Sequence, residues 1–242
     1  MSSPRKTAIV TGASQGIGAG VVKAFVERGF NVVANSRKVT QSTEVAASDH
    51  VALVDGHIGE PATAAKVVET ALSRFKSIDA LVNNAGIFFT KPFTDYTAED
   101  FQSLISTNVE GFLYVTQLSV KQMVAQKTGG SVVTITAALA ANPIAGVKAS
   151  VPMITKGGLN TITKHLAIEY AKDGIRFNAV APGVVDTPLH KDDPKEALRS
   201  LNPMGILSSV NDIADAVMYL TEARSVTGEI LSVDGGAHIG RW

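Results

Sequence analysis

Thr11-Gly-Ala-Ser-Gln-Gly-Ile-Gly18 follows directly on the short apolar run Thr7-Ala-Ile-Val10 and leads into an amphipathic stretch, Ala19 to Arg28, closed by Gly29. An apolar run, a glycine turn and an amphipathic stretch in that order predict strand, turn and helix. Each glycine then has its own task. Gly12 permits a tight exit from the strand, Gly16 lets the backbone come close to a pyrophosphate, and Gly18 lets the helix pack on the strand. The helix offers unpaired N–H groups and the positive end of its dipole to phosphate oxygens. Taken alone, the same glycines also suit an ordinary strand-to-helix turn, so the rest of the chain has to decide.

Six further short apolar runs suit strands buried on both faces: Asn31-Val-Val-Ala34, Val51-Ala-Leu-Val54, Ala80-Leu-Val-Asn83, Ser131-Val-Val-Thr-Ile135, Arg176-Phe-Asn-Ala-Val180 and Ile230-Leu-Ser-Val233. Segments with helical spacing lie between them, at Pro61 to Phe75, Ala98 to Val124, Met153 to Ala171 and Asn211 to Leu220. Strand and helix alternating throughout imply right-handed crossovers and a parallel sheet with helices on both faces, an α/β fold. Ligands of such sheets bind at the carboxyl ends of the strands. Val184 to Ser209, rich in Pro, Asp and Ser, is the least regular stretch and reads as a mobile substrate loop or short-helix insertion.

Composition fits this picture. Apolar residues make up 45% and charged residues 18% of 242, enough for one continuous core, and a single domain over 1–242 is expected. Lys plus Arg and Asp plus Glu are both 22, so no global field draws the chain to nucleic acid or to a membrane surface, and any anion must be held locally. There is no cysteine, which removes disulfides, thiolate metal sites and thiol nucleophiles and suits a reducing compartment; a cytoplasmic location is the expectation. The apolar run after Lys6 is too short for a signal peptide, and no run is long enough to span a bilayer. The five histidines are scattered and no carboxylate cluster has metal-ligand spacing, so no metal is expected. No lysine-serine pair ends the glycine turn, which excludes a P-loop.

Five motifs in order then resemble the short-chain dehydrogenase/reductase family. They are the Gly12, Gly16, Gly18 turn, Asn83-Asn-Ala-Gly86 after the fourth strand, Asn108 in Ser106-Thr-Asn-Val-Glu-Gly111, Pro182-Gly183 with Thr187, and Thr227-Gly-Glu-Ile-Leu-Ser-Val-Asp-Gly-Gly236. The resemblance implies a Rossmann-type doubly wound three-layer sandwich, a seven-stranded parallel sheet in the order 3-2-1-4-5-6-7, and an NAD(P)-dependent oxidoreductase acting on a small molecule. It also implies a homotetramer or homodimer, with apolar faces on the helices ending near Val124 and Ala171. Those faces equally suit ordinary core packing.

Carried over residue by residue, the resemblance puts Ser14, Gln15 and Ile17 with the three glycines around the diphosphate. It puts Asn84, Ala85 and Gly86 beside the cofactor, and Pro182, Gly183, Val185 and Thr187 over the nicotinamide. His57 and Ile58 stand where the family often has an aspartate that contacts adenine; His57 reads equally as a surface loop residue. At the end of the second strand, Asn35-Ser36-Arg37-Lys38 carries no carboxylate to hold a ribose 2′-hydroxyl. Arg37, with Ser36, offers a planar set of donors to a 2′-phosphate, which favours NADP(H) over NAD(H). Solvated loop charges are the other reading of Arg37 and Lys38.

The catalytic positions match only in part. The family pairs a tyrosine with a lysine four residues later, one helical turn apart on the same face, the ammonium lowering the phenol's pKa. Lys156 fits the lysine, but Pro152 stands at the tyrosine position. Proline suits a first helical turn yet has no proton to give. The expected serine past the fifth strand is Ala137, and the adjacent Thr136 should point to the other side of the strand. Asn108 and Lys156 remain as catalytic candidates. Ser150, Lys148, His190 and Tyr96 carry protons nearby, but Ser150 reads first as a helix N-cap and the others as solvent-facing or packing residues. Ile87-Phe-Phe89, Leu139, Val147, Leu189, Met204 and Leu207 would give the cleft an apolar wall, or belong to the core. Two functions follow: reduction of a carbonyl, enone or imine by an atypical site, or a catalytically silent dinucleotide-binding sensor or structural oligomer partner.

Overall fold

The computed structural model describes residues 5–239. Seven parallel strands form one sheet in the order β3-β2-β1-β4-β5-β6-β7. They are β1 (Thr7–Thr11), β2 (Asn31–Ser36), β3 (Val51–Asp55), β4 (Ala80–Asn83), β5 (Gly130–Ile135), β6 (Ile175–Pro182) and β7 (Ile230–Val233). All seven apolar runs are strands, and successive side chains of one strand enter opposite layers. Ala8 and Val10 of β1 pack in one cluster with Val21 and Phe25 of helix α1 (Gly16–Glu27) and Ile213 and Val217 of helix α7 (Val210–Glu222). Ile9 between them packs in the other, with Val67 of helix α2 (Pro61–Phe75) and Val115 and Met123 of helix α4 (Gly111–Gln126). Burial on both faces is why the inner runs are continuously apolar; β7, at the sheet edge, is only half-buried, which corrects the expectation for that run.

Three further expectations are corrected. Strand and helix do not alternate throughout: between β2 and β3, residues 37–50 hold only a 3₁₀ turn, Val39–Gln41. The segment is rich in hydroxyl side chains that bond the backbone in place of helical partners, Ser42 Oγ accepting the N–H groups of Glu44 and Val45 at 3.1 Å each. The stretch from Ala98 is not one helix; helix α3 (Ala98–Leu104) passes through a π-helical turn, Ile105–Glu110, before α4. Helix α5 (Ser150–Glu169) begins three residues before the expected Met153, and Ser150 is its first residue rather than its N-cap, with no capping bond from its side chain. Pro152 sits in that first turn, where no amide hydrogen is missed.

The irregular stretch after β6 contains a 3₁₀ turn, Pro188–His190, and helix α6 (Lys195–Arg199). Among the described residues no helix is long and apolar enough to cross a membrane. The terminal Gly240-Arg241-Trp242, a conceivable reach towards a neighbouring subunit, lies outside the described residues.

Everything at the carboxyl edge depends on how closely α1 meets β1 and β4. A Cβ on Gly18 would overlap the Gly12 carbonyl oxygen and stand 2.6 Å from Asn84 Nδ2. Gly18→Ala is therefore expected to cost at least about 2 kcal/mol through overpacking against backbone that cannot yield. Urea unfolding checks this; an unchanged midpoint would show that the turn relaxes freely.

Candidate active site

The glycine turn is clasped to the end of β4. Thr11 Oγ1 accepts the N–H groups of Asn84 at 3.1 Å and Ala85 at 3.0 Å, and Asn84 Nδ2 donates to the carbonyls of Thr11 and Gly12, both at 3.0 Å. Gly12 and Gly16 adopt φ values of 64° and 57°, the left-handed region that glycine enters without steric cost. Helix α1 starts with no side-chain cap from Gln15 and no acidic residue in its first turn. Its amino end thus keeps the donors that an anion needs. One is partly spoken for: Gly16 N–H donates to Glu44 Oε2 at 3.3 Å.

Beside the turn lies a pocket of about 180 Å³. Nine of the residues chosen from the sequence line it: Gly12, Ser14, Asn35, Ser36, Arg37, His57, Ile58, Ala85 and Gly86. Ile87, expected in the apolar wall of the cleft, lines it too; Gly56 and Thr107 line it as well and were missed, although Thr107 adjoins Asn108 in its motif. Asn35 Nδ2 donates to Val54 O at 2.9 Å and Gly56 O at 3.2 Å, fixing the pocket floor across β2 and β3. Arg37 is exposed and makes no ion pair among the described residues. His57 is not a free loop residue. Its Nδ1 accepts Gly59 N–H at 3.2 Å, which assigns the proton to Nε2, and Nε2 stands 3.3 Å from Thr107 Oγ1.

The remaining residues lie around this pocket without lining it. Gly16, Gly18, Ile17 and Gln15 form the start of α1 and the residue before it, and Asn84 is the clasp. The chain after β6 crosses the amino end of α1, with Thr187 Cβ 3.5 Å from where a Gly16 Cβ would be. Pro182 ends β6, and Gly183 packs against Asp234 so closely that a Cβ would stand 2.8 Å from its Cα. Val185 is buried in the α1/α7 cluster.

Asn108 and Lys156 meet at Gly86. A Cβ on Gly86 would be 3.2 Å from Lys156 Nζ and 3.3 Å from Asn108 Oδ1, so glycine leaves the space between them open. Asn108 sits in the π-helical turn and is buried; its Oδ1 accepts Ile87 N–H at 2.8 Å, and its Nδ2 donates to Ile87 O at 3.1 Å and Thr155 Oγ1 at 3.0 Å. Thr155, which sequence reasoning missed, donates in turn to Pro152 O at 2.7 Å. Lys156 Nζ donates to Ile135 O at 2.8 Å, and burial lowers the ammonium from its ordinary value to about 8.

No hydroxyl joins them from the expected positions. Pro152 is buried in the first turn of α5, and Ala137 is extended and half-buried at the end of β5. Thr136 Oγ1 turns away to Val180 O at 3.3 Å. Tyr96 Oη donates to Phe89 O at 3.0 Å, and His190 Nδ1 pairs with Asp193 at 2.7 Å; both are structural contacts. Ile87, Phe88, Phe89, Leu139, Val147 and Leu207 are half-buried, while Leu189 and Met204 are 60% and 66% exposed, so none belongs to the closed core.

Comparison with known proteins agrees with this geometry. Residues 12–238 match the family model described as enoyl-(acyl carrier protein) reductase. A tropinone reductase homolog of Arabidopsis thaliana is 37% identical over 95% of this chain and 92% of its own. An L-rhamnose 1-dehydrogenase (NAD(P)(+)) of Sphingomonas sp. is 33% identical over 97% of this chain and 96% of its own. Among solved structures, a 3-ketoacyl-(acyl-carrier-protein) reductase from Brucella melitensis complexed with NADH superposes with a TM-score of 0.90 at 32% identity, covering 97% and 99% of the two chains. ElxO with NADP bound gives 0.88 at 26% identity, over 98% and 100%. A chain with this sheet order, this glycine turn and these relatives belongs to the short-chain dehydrogenase/reductase family and is an NAD(P)-dependent oxidoreductase.

Proposed function

We propose that the chain is an NADP(H)-dependent reductase of a small, largely apolar substrate, acting on a carbonyl, enone or imine at a site that works without the family's tyrosine and serine. The observation that carries this reading is the pairing of Lys156 Nζ and Asn108 Oδ1 across Gly86 at the carboxyl edge, with Pro152 and Ala137 where hydroxyls are expected. The residues present fit a dinucleotide, because the amino end of α1, which Gln15 does not cap, and the adjoining pocket offer donors of the kind that phosphates and ribose hydroxyls accept. When bound, the cofactor supplies the hydride.

The N–H groups of the glycine turn would hold the diphosphate, Ser36 and Arg37 the 2′-phosphate, and Lys156 the nicotinamide ribose, beneath the segment that carries Thr187. Asn108 positions rather than reacts, since its amide is engaged by Ile87 and Thr155. Lys156 is then the charged group that stands beside Gly86 among the described residues. Its ammonium can stabilise negative charge on a substrate oxygen, but no phenol delivers a proton there. Absence of a positioned acid costs about 10²–10⁴ in rate, or roughly 3–5 kcal/mol of barrier. Substrates that need little proton delivery during hydride attack, such as iminium ions and conjugated enones, are favoured accordingly. The catalytically silent sensor is favoured by the same two residues, Pro152 and Ala137. In either reading the protein acts as one cytoplasmic domain, and the exposed Ile154 and Ile168 on α5 suit a homotetramer or homodimer.

Incubating the protein with NADPH and a panel of ketones, enones and cyclic imines separates the two readings. Turnover lost in Lys156→Ala is expected; tight NADPH binding with no turnover of any substrate supports the sensor. Pro152→Tyr combined with Ala137→Ser should create or raise ketone reduction, and no gain in that double variant counts against an otherwise intact catalytic frame. Arg37→Ala should weaken NADPH binding by about 10- to 100-fold, the worth of a charge-assisted hydrogen bond to phosphate. NADH binding should be unaffected, and equal affinity of the wild type for the two would overturn the NADP(H) assignment.

Lys156 also predicts a pH dependence. The ammonium that would hold the ribose is present below its lowered pKa of about 8 and is lost as pH rises through it. NADPH affinity should hold steady below pH 8 and fall above it by up to about tenfold per pH unit. Lys156→Met should flatten the profile, and a wild-type profile level to pH 10 would contradict the assignment.

A further inference from the structure

The crossover between β2 and β3 lays a carboxylate on the glycine turn. Lacking a helix, the segment crosses the carboxyl edge and is pinned at several points. Thr40 N–H donates to Asp55 Oδ1 at 2.9 Å, Ser42 Oγ donates to Ser14 O at 2.6 Å, and Val39 and Val45 are buried in the α1/α7 cluster. Glu44 lies between two of these anchors, and its Oε2 accepts Gly16 N–H at 3.3 Å. It is exposed and makes no ion pair among the described residues, so water and the amino end of α1 together balance its charge there. Serine and glutamate at this distance from the turn show no motif; only the shortened crossover brings them to it.

We infer that Glu44 is an internal anion that competes with the dinucleotide's phosphates for the amino end of α1, so that cofactor binding must displace it. The inference rests on the dinucleotide lying at the glycine turn, as proposed above. A carboxylate on the first helical N–H satisfies a donor in the free protein and gains from the dipole. A diphosphate approaching the same turn meets both an occupied donor and a like charge. Glu44 therefore lowers affinity in opposition to Arg37, which raises it for the 2′-phosphorylated cofactor.

The test is fluorescence titration of NADPH and of NADH into the wild type, Glu44→Gln and Glu44→Ala at low ionic strength. Glu44 is exposed, so both variants are expected to fold, which melting curves taken alongside would check. Both should bind each dinucleotide about two- to fivefold more tightly than the wild type, the effect of removing one charge at a helix terminus. Unchanged or weaker binding in the two variants would overturn the competition. Weaker binding is the result expected of a carboxylate that instead accepts ribose hydroxyls. If neither the wild type nor the variants bind dinucleotide, the cofactor assignment itself falls, and Glu44 with it.

Discussion

The hydrogen bonds between Thr11 and Asn84 hold two strand ends and a helix start at a separation that only glycine backbone permits. β1 and β4 are neighbours at the point where the strand order reverses, the place in a doubly wound sheet where a crevice opens. Asn84 fills one side of that crevice and satisfies the two carbonyls that the tight exit from β1 leaves pointing at it. With the turn held in this way, the amino end of α1 faces outward over the sheet edge and not into the core. The pocket against β2 then runs on to Gly86, where Lys156 and Asn108 meet.

At the reacting end, what remains is a frame without its usual proton carrier. The π-helical turn pushes Asn108 inward, where three hydrogen bonds lock it to Ile87 and Thr155. π-helical turns recur at functional sites because the extra residue re-aims one side chain without breaking the helix. Thr155 then joins Asn108 to the first turn of α5 through the Pro152 carbonyl. Pro152 is thus integrated into the frame by its backbone, and its lack of an amide hydrogen costs nothing in the first helical turn. The frame that positions Lys156 does not depend on a side-chain hydroxyl at residue 152.

Much of this was legible in the sequence because it is written locally. Seven apolar runs became seven strands, and the helix at Pro61 to Phe75 has the expected ends because proline marks its start. The glycine turn was legible because a strand stood before it and a helix after it. What escaped depends on contacts between distant segments. The missing helix between β2 and β3 was hidden by the alternation of the remaining elements, and Glu44 reaches a turn 28 residues earlier in the chain. Apolar periodicity runs on through the π-helical turn, so the division of α3 from α4 left no mark. Ser150 has the right chemistry for a cap but enters the helix one residue too late to serve as one.

The most direct measurement is a crystal structure of the chain grown with NADPH. The dinucleotide is expected along the carboxyl edge, with its 2′-phosphate beside Ser36 and Arg37, its diphosphate against the amino end of α1 and its nicotinamide ribose beside Lys156. Electron density for NADPH elsewhere, or a glycine turn closed by the chain's own side chains in the presence of saturating NADPH, would contradict that placement and the function built on it.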